Sequence, residues 1–545
     1  MSAAAPTVAR RRKRASIWQR MLGAIGIGPA AKRSGVHYEA ASTADRGRKG
    51  WTTSNAGPNA VGASAPYIRA RSRDMARNDA HCARAIGVLA GNVVGTGVTV
   101  APRADPKDER SKALAALAES LWRSWCGDPE ADAPAQSPPC DAEGVHTYGA
   151  LEGVMARGWI EAGEAFLRFR AAPELVRLGQ VPLRLEVLEA DMLDETKNER
   201  TPDAGGRIVQ GVEVDAAGRR VAYWFHREHP GEGWPFGVGR SESVRTPAED
   251  VIHLFLPLRP RQVRGVPFLA PVLATKADLD TWERAELARK ATEACVVAFV
   301  MPGDDQYSAN VPDEGLVPSV VDSDGMPVED LPPRTVLRVR NGKDVKFNTP
   351  IISSNYDTYK RAMLQSIAVG VGLSYEWLSG DLSQANYSSL RGGLIEFWRE
   401  IDALQWSHFV PKVTARVWRR FCEAAFLGGL LPVPYVPADL TAPARTSVDP
   451  ARESLGDILD IRAGLAPWED KVAARGSTPR KVLDQAASLQ KELGMLGLIL
   501  DINPATTDFR GAMRNDRRQG QGGGSGGDGS GPPDDPSADG GESTP

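Results

Sequence analysis

The chain has 545 residues with 66 basic and 69 acidic side chains, so its formal net charge is only −3. This balance excludes a strongly basic protein that grips nucleic acid over its whole surface. Five dispersed cysteines without a CxxC pair argue against a disulfide framework or a zinc site, and no stretch approaches the ~18 apolar residues of a membrane span. We therefore expect a soluble intracellular protein of several structural units.

The N-terminal residues 1–73 are predicted to be a basic, poorly ordered arm. Six basic residues lie between Arg10 and Arg20, and Gly-, Ala- and Ser-rich sequence follows them. The segment is either an arm that touches nucleic acid or a scaffolding partner, or a solvated tail.

Residues 74–268 are predicted to form an α+β domain. A first helix, with Met75, Cys82, Ile86 and Leu89 on one face, leads through a Gly-rich turn into a short strand. Two further helices and several segments of alternating apolar and polar residues follow. The stretch "GNVVGTGV" is not a phosphate-binding loop, because it follows a helix instead of opening one and has no GK[ST].

A long charged helix is predicted at residues 269–295. Its apolar stripe is thin, and its charges recur at i,i+4 spacing, as in Asp280–Arg284 and Glu286–Lys290. A helix this polar usually packs against copies of itself or bridges domains. We therefore predict that these four residues contribute to packing.

A small β-rich module is predicted at residues 296–350. Its strongest signal is Asn341-Gly342, a dipeptide typical of tight hairpins, between two alternating segments. A second helix, within residues 351–372, returns from the module. Two helices that enclose a compact β module indicate a stalk with a head, which is unusual for a monomeric enzyme.

A polar loop at residues 373–386 precedes a long helix that opens the segment 387–448. Pro411 is expected to kink or break this helix. Residues 449–505 are predicted to form short helices with Asp-Pro and Thr-Pro starts. Residues 506–545 are predicted to be a disordered Gly/Asp-rich tail, because large apolar residues are absent from its final part.

No catalytic motif stands out along the chain. The HExxH, Walker A and GxSxG patterns are absent, and no Cys/His cluster has metal-ligand spacing. His226, Glu228 and His229 could supply metal ligands, but histidines at this spacing beside a Pro-Gly turn more often lie at a strand end. The loop serines have no nearby histidine to act as a base. We therefore predict neither a cofactor nor catalysis.

Five motifs, in order, resemble the portal proteins of tailed bacteriophages, specifically the lambda-type family. They are "ARSRDMARNDAHCARAIGVLAGNVVGTGV", "LEVLEADMLD", "GVEVDAAGRRVAYWF", "VIHLFLPLRPRQVRGVPFLAPVL" and "GLSYEWLSGDLSQANYSSLRGGLIEFWREI". The resemblance covers roughly residues 70–500. Its most specific signatures are "YEWLSGDLSQANYSSLR" and "RPRQVRGVP", and the latter contains Arg259, Arg261, Gln262, Arg264 and Gly265.

The resemblance implies the phage portal fold, whose subunits assemble into a cyclic ring, typically a dodecamer, at one capsid vertex. It implies that residues 74–268 form the wing, to which residues 387–448 return. The implied stem helices are 269–295 and 351–372, the clip is 296–350, the tunnel loop is 373–386 and the crown is 449–505. The resemblance extends to neither terminal segment.

The resemblance also implies a non-catalytic channel through which viral double-stranded DNA is packaged and ejected. The implied partners are further copies of the chain, the terminase large subunit, the major capsid protein and scaffold, and the head–tail connector or adaptor proteins. The implied location is the virion, after assembly in the host bacterial cytoplasm. The alternatives are a phage maturation protease or nuclease with an unrecognised site, and a non-ring adaptor that binds DNA.

The same resemblance suggests two sets of contact residues. We expect the tunnel loop to face DNA through Ser379, Asp381, Ser383, Gln384 and Asn386. We expect the clip to meet the terminase through Arg338, Arg340, Asn341, Gly342 and Lys343. A loop without basic residues suits a conduit, because strong phosphate contacts would slow sliding DNA.

Overall fold

The computed structural model describes residues 56–131, 138–201, 205–232, 242–300, 335–338, 345–346, 355–445 and 449–497. Contacts divide the chain into two units, Met1–Ala60 and Val61–Pro545. In the first unit, the amide of Ala60 donates to the carbonyl oxygen of Gly57 over 3.1 Å. The elements below belong to the second unit, which mixes helices and sheets as predicted.

Four helices dominate the first part of this unit: α1 (Ala65–Asn78), α2 (Ala80–Val94), α3 (Glu109–Cys126) and α4 (Tyr148–Ala162). The single helix predicted around Met75 to Leu89 is instead two helices that meet at Asp79. The Asp79 backbone is extended, and its carboxylate accepts the amide of Cys82 at 2.8 Å, so this residue caps α2. Helix α1 also begins within the predicted arm, which corrects the boundary at residue 73.

Three antiparallel arrangements of strands follow from the sequence alternation. A three-stranded sheet has the order β3-β2-β9, with β2 (Glu164–Ala171), β3 (Leu183–Leu188) and β9 (Val251–Phe255). A five-stranded meander runs through β4 (Glu199–Arg200), β5 (Arg207–Val209), β6 (Val212–Val214), β7 (Arg220–His226) and β8 (Ser243–Pro247). A two-stranded sheet joins β1 (Thr99–Pro102) to β13 (Ala438–Thr441).

The three-stranded sheet separates two hydrophobic cores. Successive side chains of a strand point to opposite faces, so Phe166 and Val251 enter a small core against the meander. Their neighbours Leu167 and Ile252 enter the larger core, which the helices cover. In that core Trp122 makes edge-on contacts with several other rings.

Two helices enclose a β module, as the sequence predicts: α5 (Leu273–Cys295) and α6 (Tyr356–Val371). Between them lie β10 (Val296–Val300), β11 (Thr335–Arg338) and β12 (Val345–Lys346). The strands flanking the Asn-Gly pair do not form the expected hairpin with each other. Strand β10 lies between them, parallel to β11 and antiparallel to β12. The local turn signal carries no information about this third strand.

A short helix α7 (Tyr375–Ser379) leads to α8 (Tyr387–Leu404), and the run then changes character. It continues as a π-helical turn at Gln405–Phe409, as α9 (Val410–Lys412) and as α10 (Thr414–Leu427). Pro411 cannot donate a backbone hydrogen bond, which accounts for the interruption that the sequence predicts. Three helices end the described chain: α11 (Pro450–Arg462), α12 (Trp468–Ala474) and α13 (Pro479–Leu496).

Helix length and hydropathy bear on membrane insertion. Within the described residues, every helix is too short or too polar to cross a bilayer.

Candidate functional site

The signature "RPRQVRGVP" folds into a turn that places an arginine in the protein interior. Arg264 is buried, and its Nε donates to Oε1 of Glu164, the first residue of β2, over 2.7 Å. The other carboxylate oxygen accepts the backbone amide of Gly265 at 2.9 Å. The motif therefore ends in a buried ion pair between the strand and the turn. We call this pair, together with three neighbouring residues that contact it, the ion cluster.

The ion cluster also contains Arg69, Glu195 and His253. Arg69 lies 3.7 Å from Glu164 and pairs with Glu195, which is itself 2.9 Å from Arg264. Burial opposes the ionisation of Glu164, but the charge of Arg264 and the hydrogen bond with His253 outweigh burial and hold its pKa well below the usual value. Burial lowers the pKa of His253 to about 4, so its ring is neutral at pH 7.

Two other signature residues shape the turn itself. The side-chain oxygen of Gln262 accepts the amides of Leu258 and Arg259 at 2.9 and 3.1 Å, and its amide nitrogen donates to the carbonyl of Arg264 at 2.7 Å. At Gly265 an added Cβ would lie 2.0 Å from the carbonyl oxygen of Gly163. Only glycine allows this close approach of two backbones.

The base of helix α5 is fixed by a buried lysine. Lys276 has a side chain only 1% exposed, and its Nζ lies 2.6 Å from Asp79, the cap of α2, while it also pairs with Asp280. Burial opposes its charge, but hydrogen bonds to Asp280 and Asp79 raise the pKa of Lys276. The ion pair attaches the charged helix to the helical core.

Helices α5 and α6 meet along an aromatic seam. The ring of Trp282 stacks on Tyr356, with centroids 5.1 Å apart, and contacts Tyr359 at 4.5 Å. Beside it, Nζ of Lys360 lies 2.6 Å from Glu283. The large core includes Leu273 and Leu279 of α5 and residues from Leu364 onwards of α6, and Trp282 and Met363 pack against it.

The predicted packing charges lie along α5, but their ion pairs differ from those inferred from spacing. Asp280 pairs with Lys276, and Glu286 pairs with Arg289. Arg284 is exposed, and Nζ of Lys290 lies 4.9 Å from the ring centroid of Tyr356. Contacts between subunits remain a prediction for these residues.

The first half of the predicted tunnel loop is held within its own turn. Oγ of Ser379 donates to the carbonyl of Tyr375 at 2.7 Å and accepts the amide of Asp381 at 3.1 Å. Asp381 accepts the amide of Ser383 at 3.0 Å and the hydroxyl of Tyr375 at 3.2 Å. Hydrogen bonds from Ser383, and then from Tyr375, lower the pKa of Asp381. Two of the five predicted contact side chains therefore stabilise the loop.

The second half of the loop is exposed. Leu382, Ser383, Gln384 and Asn386 all lie at the surface. The loop is anchored before this point, because Leu378 is buried and the ring of Trp377 stacks on a core phenylalanine at 5.5 Å. The loop thus consists of a fixed helical turn followed by a short exposed segment.

The predicted clip contacts are described only in part. The backbone of Arg338 ends β11. Arg340, Asn341, Gly342 and Lys343 lie outside the described residues.

The possible metal ligands do not converge. His226 lies 3.9 Å from Asp194, whereas His229 lies 3.4 Å from Glu189. Glu189, Asp191 and His229 come together, but Arg73 pairs with both of these carboxylates. An arginine already supplies the positive charge that a cation would bring there, so these residues do not favour a metal.

Sequence reasoning missed several residues of the ion cluster. Arg69 had been placed in the basic arm, and Glu164 and Glu195 belong to segments read only as strand and loop. The detectable signal was a carboxylate at position 164 between two strongly apolar segments, which is unusual without a partner. Its partners could not be chosen from sequence, because they lie up to 100 residues away along the chain.

The chain matches a family model and portal proteins of phages over most of its length. A family model described as "Phage portal protein, lambda family" matches residues 44–405. The "Probable portal protein" of Halomonas phage phiHAP-1 is 25% identical over 460 residues, which cover 79% of this chain and 81% of that protein. Portal protein B of Escherichia phage lambda is 21% identical over 480 residues, covering 79% and 84%. A solved structure, "Neck of native GTA particle computed with C12 symmetry", is 16% identical with a TM-score of 0.40, covering 75% of this chain and 94% of its own.

Proposed function

The chain belongs to the lambda family of phage portal proteins, and on this basis we propose that its copies form a ring channel at one vertex of the capsid. Portal proteins are structural components of the virion, so this protein is not an enzyme. In the proposal, double-stranded viral DNA enters and leaves the capsid through the ring. Twelve subunits is the number that the family resemblance implies.

The observation that carries the proposal is the helix pair α5–α6. The Trp282 seam joins the two helices along one side, whereas Leu287 is 70% exposed and Val369 is 78% exposed in the single copy. Charges of both signs lie near Leu287 along α5, and Val369 lies on α6. Such a surface suits lateral contact with identical neighbours in a cyclic, head-to-tail arrangement.

We assign the parts of the chain to the portal regions on this basis. The helices within 269–295 and 351–372 are the stem, and the strands within 296–350 belong to the clip that meets the terminase large subunit. The helix-and-sheet region before α5 is the wing, to which residues 387–448 return. Helices α11 to α13 are the crown, within residues 449–505. The major capsid protein, scaffold and head–tail connector proteins are further partners in the virion.

In this assignment the exposed half of the loop, residues 382–386, contacts DNA. Its Ser383, Gln384 and Asn386 can form weak and exchangeable hydrogen bonds to the phosphate backbone. The fixed turn of Tyr375–Ser379 positions this segment. Ser379 and Asp381 support the loop instead of meeting DNA directly.

Native mass spectrometry and negative-stain imaging of the purified protein test the proposal. We expect rings of about a dozen subunits with a central hole. A persistent monomer or dimer with hydrolytic activity would contradict it.

Two matched variants test the role of the helix pair. Leu287→Arg places a charge on the outward side of α5 and should greatly reduce the yield of rings. Leu178→Arg is the control, because Leu178 is also 70% exposed but lies on a distant turn. Circular dichroism should show intact folding for both. Normal rings from Leu287→Arg would show that this side of α5 does not pack between subunits.

Deletion of residues 382–386 tests the loop separately. Because Leu378 and the fixed turn remain, we expect rings to assemble while heads fail to package or retain DNA normally. Heads that fill and hold their genome would refute the DNA role of the loop.

A further inference from the structure

A basic cleft lies on the side of the three-stranded sheet where β9 is the edge strand. Its volume is about 820 Å³, and strands β7 and β9, the signature turn and the segment from α9 to α10 line it. Among the described residues, six cationic side chains and one carboxylate line the cleft. The cations are Arg207, Arg220, Arg259, Arg261, Lys412 and Arg416, and the acid is Asp215. This local excess contrasts with the nearly neutral chain.

Phe255 holds two of these cations close together. Nζ of Lys412 lies 3.3 Å from its carbonyl oxygen and 5.5 Å from its ring centroid, and the guanidinium of Arg220 lies 4.9 Å from the same ring. Burial, and then the charge of Arg220, lower the pKa of Lys412. The fold therefore holds two positive charges, those of Arg220 and Lys412, close together beside Phe255, where solvent access is reduced.

Carboxylates leave part of this charge unneutralised within the part of the chain that the structure describes. Arg420, on the same helix as Arg416, pairs with Asp250. By contrast, Arg220, Lys412 and Arg416 form no ion pair with any described acidic residue, and Asp215 accepts the amide of Arg219 at 2.7 Å. Uncompensated cations that converge on one cleft are typical of an anion-binding site.

We propose that the basic cleft binds phosphodiester groups of double-stranded DNA, at a contact separate from the tunnel loop. The proposal rests on the proposed function, which brings duplex DNA to the protein. The guanidinium group matches phosphate oxygens with two parallel hydrogen bonds, and arginines supply five of the six cations. These contacts read the backbone and not the base sequence.

An acidic peptide fits the cleft less well than a nucleic-acid backbone. Peptide recognition usually relies on aromatic or aliphatic anchors in a pocket. Among the described lining residues, the aromatic rings of Tyr223, His253 and Phe255 are buried, and cations already lie over Phe255. The cleft offers charge without an apolar anchor.

Equilibrium binding of a fluorescently labelled DNA duplex to the full-length protein tests the proposal. The test variant is Arg220→Gln/Lys412→Gln/Arg416→Gln. The control variant, Arg110→Gln/Arg177→Gln/Lys491→Gln, removes the same charge from exposed positions elsewhere. Lys412→Arg keeps the charge and should bind as the wild type does. Affinity is measured from ~50 to ~200 mM salt, since each phosphate contact makes binding more salt-dependent.

We expect the test variant to bind DNA at least about tenfold more weakly and to lose about one unit of salt slope for each contact removed. The control should change affinity less than about twofold. Equal weakening in both variants would overturn the proposal, because only total charge would then matter. Unchanged binding in the test variant would overturn it as well.

Two further measurements separate other occupants of the cleft. Inorganic phosphate could raise the melting temperature of the wild type while the test variant binds DNA as tightly as the wild type does. The cleft would then bind free phosphate and not DNA. If the test variant loses rings that the control forms, the cleft is a subunit contact. Either result overturns the DNA assignment, whereas the proposed function fails only if the wild type forms no ring.

Discussion

Replacing Glu164 by glutamine should destabilise the fold more than any single change at the protein surface. The carboxylate is 1% exposed and accepts hydrogen bonds from Arg264 at 2.7 Å and from Gly265 at 2.9 Å. Glutamine has nearly the same shape, but it removes the negative charge between two guanidinium groups. It also places a side-chain NH2 group, itself a donor, opposite one of the groups that donate to Glu164.

The expected loss follows from the burial of the ion cluster. Removing one partner of a buried ion pair costs about 3–5 kcal/mol, because the other charge stays buried without compensation. With an m value near ~3 kcal/mol/M, the urea midpoint should fall by about 1–1.7 M. The change is measured by tryptophan fluorescence at one protein concentration, because subunit association also shifts the midpoint.

Glu186→Gln is the matched control on the neighbouring strand. The Glu186 side chain is 23% exposed and pairs with Arg168 and Arg170 at 2.7 and 2.8 Å. Ion pairs that solvent reaches contribute about 0–1 kcal/mol, so this variant should change little. If Glu164→Gln lowered the midpoint no more than Glu186→Gln does, the ion cluster would not stabilise the fold as argued.

Three further predictions concern single residues. Lys276→Met leaves two carboxylates without their cation, so the free energy of unfolding should fall by about 3 kcal/mol, and hydrogen exchange should rise along α5. Gly265→Ala should prevent folding, because the added Cβ would lie 2.0 Å from a backbone oxygen. The control is Gly393→Ala, which lies within α8 with open space around it. By urea titration this control should be neutral or stabilising. Burial raises the pKa of Glu152 from 4.5 to about 7, so the folded state holds this proton more tightly than the unfolded state does. The free energy of unfolding should therefore fall by about 3 kcal/mol as pH rises from about 4.5 to about 7. Denaturation curves of Glu152→Gln should lack that fall. A variant with the same pH profile as the wild type would contradict the raised pKa of Glu152.

Local patterns predicted much of the secondary structure. Helical periodicity indicated α3 and the step from α4 into β2, and the charge-rich stretch indicated α5. Pro411 marked the interruption after α8 because a missing backbone donor acts locally. Each of these features depends on residues that are neighbours in the chain.

The errors arose where distant residues decide the structure. The hydrophobic face is continuous on both sides of Asp79, so periodicity could not show that its carboxylate caps a new helix. The Asn-Gly pair predicted a hairpin, but β10, from more than thirty positions earlier, lies between the flanking strands. Arg69 belonged by composition to a basic arm, yet it is buried against carboxylates that come much later in the chain.

For the candidate site too, the sequence predicted local segments but not the contacts between distant residues. Composition identified the polar loop. The hydrogen bonds within the loop show that Ser379 and Asp381 stabilise the turn. The signature turn was recognised by resemblance, whereas the burial of Arg264 became evident only from the fold. The basic cleft was not predicted as a whole, because Arg207, Arg220, Lys412 and Arg416 come from segments separate from the arginine-rich signature turn.

The ion cluster also has a consequence for synthesis on the ribosome. Glu164 and Arg264 are 100 positions apart, so the carboxylate is made well before its principal cation. At ~5–20 residues per second this interval lasts about 5–20 seconds. During that time β2 cannot bury Glu164 at low cost, and the sheet with its two cores cannot close. The signature turn thus completes the ion cluster, whereas the large core closes later still, because α8, α10 and β13, which contribute to it, follow α5 in the chain.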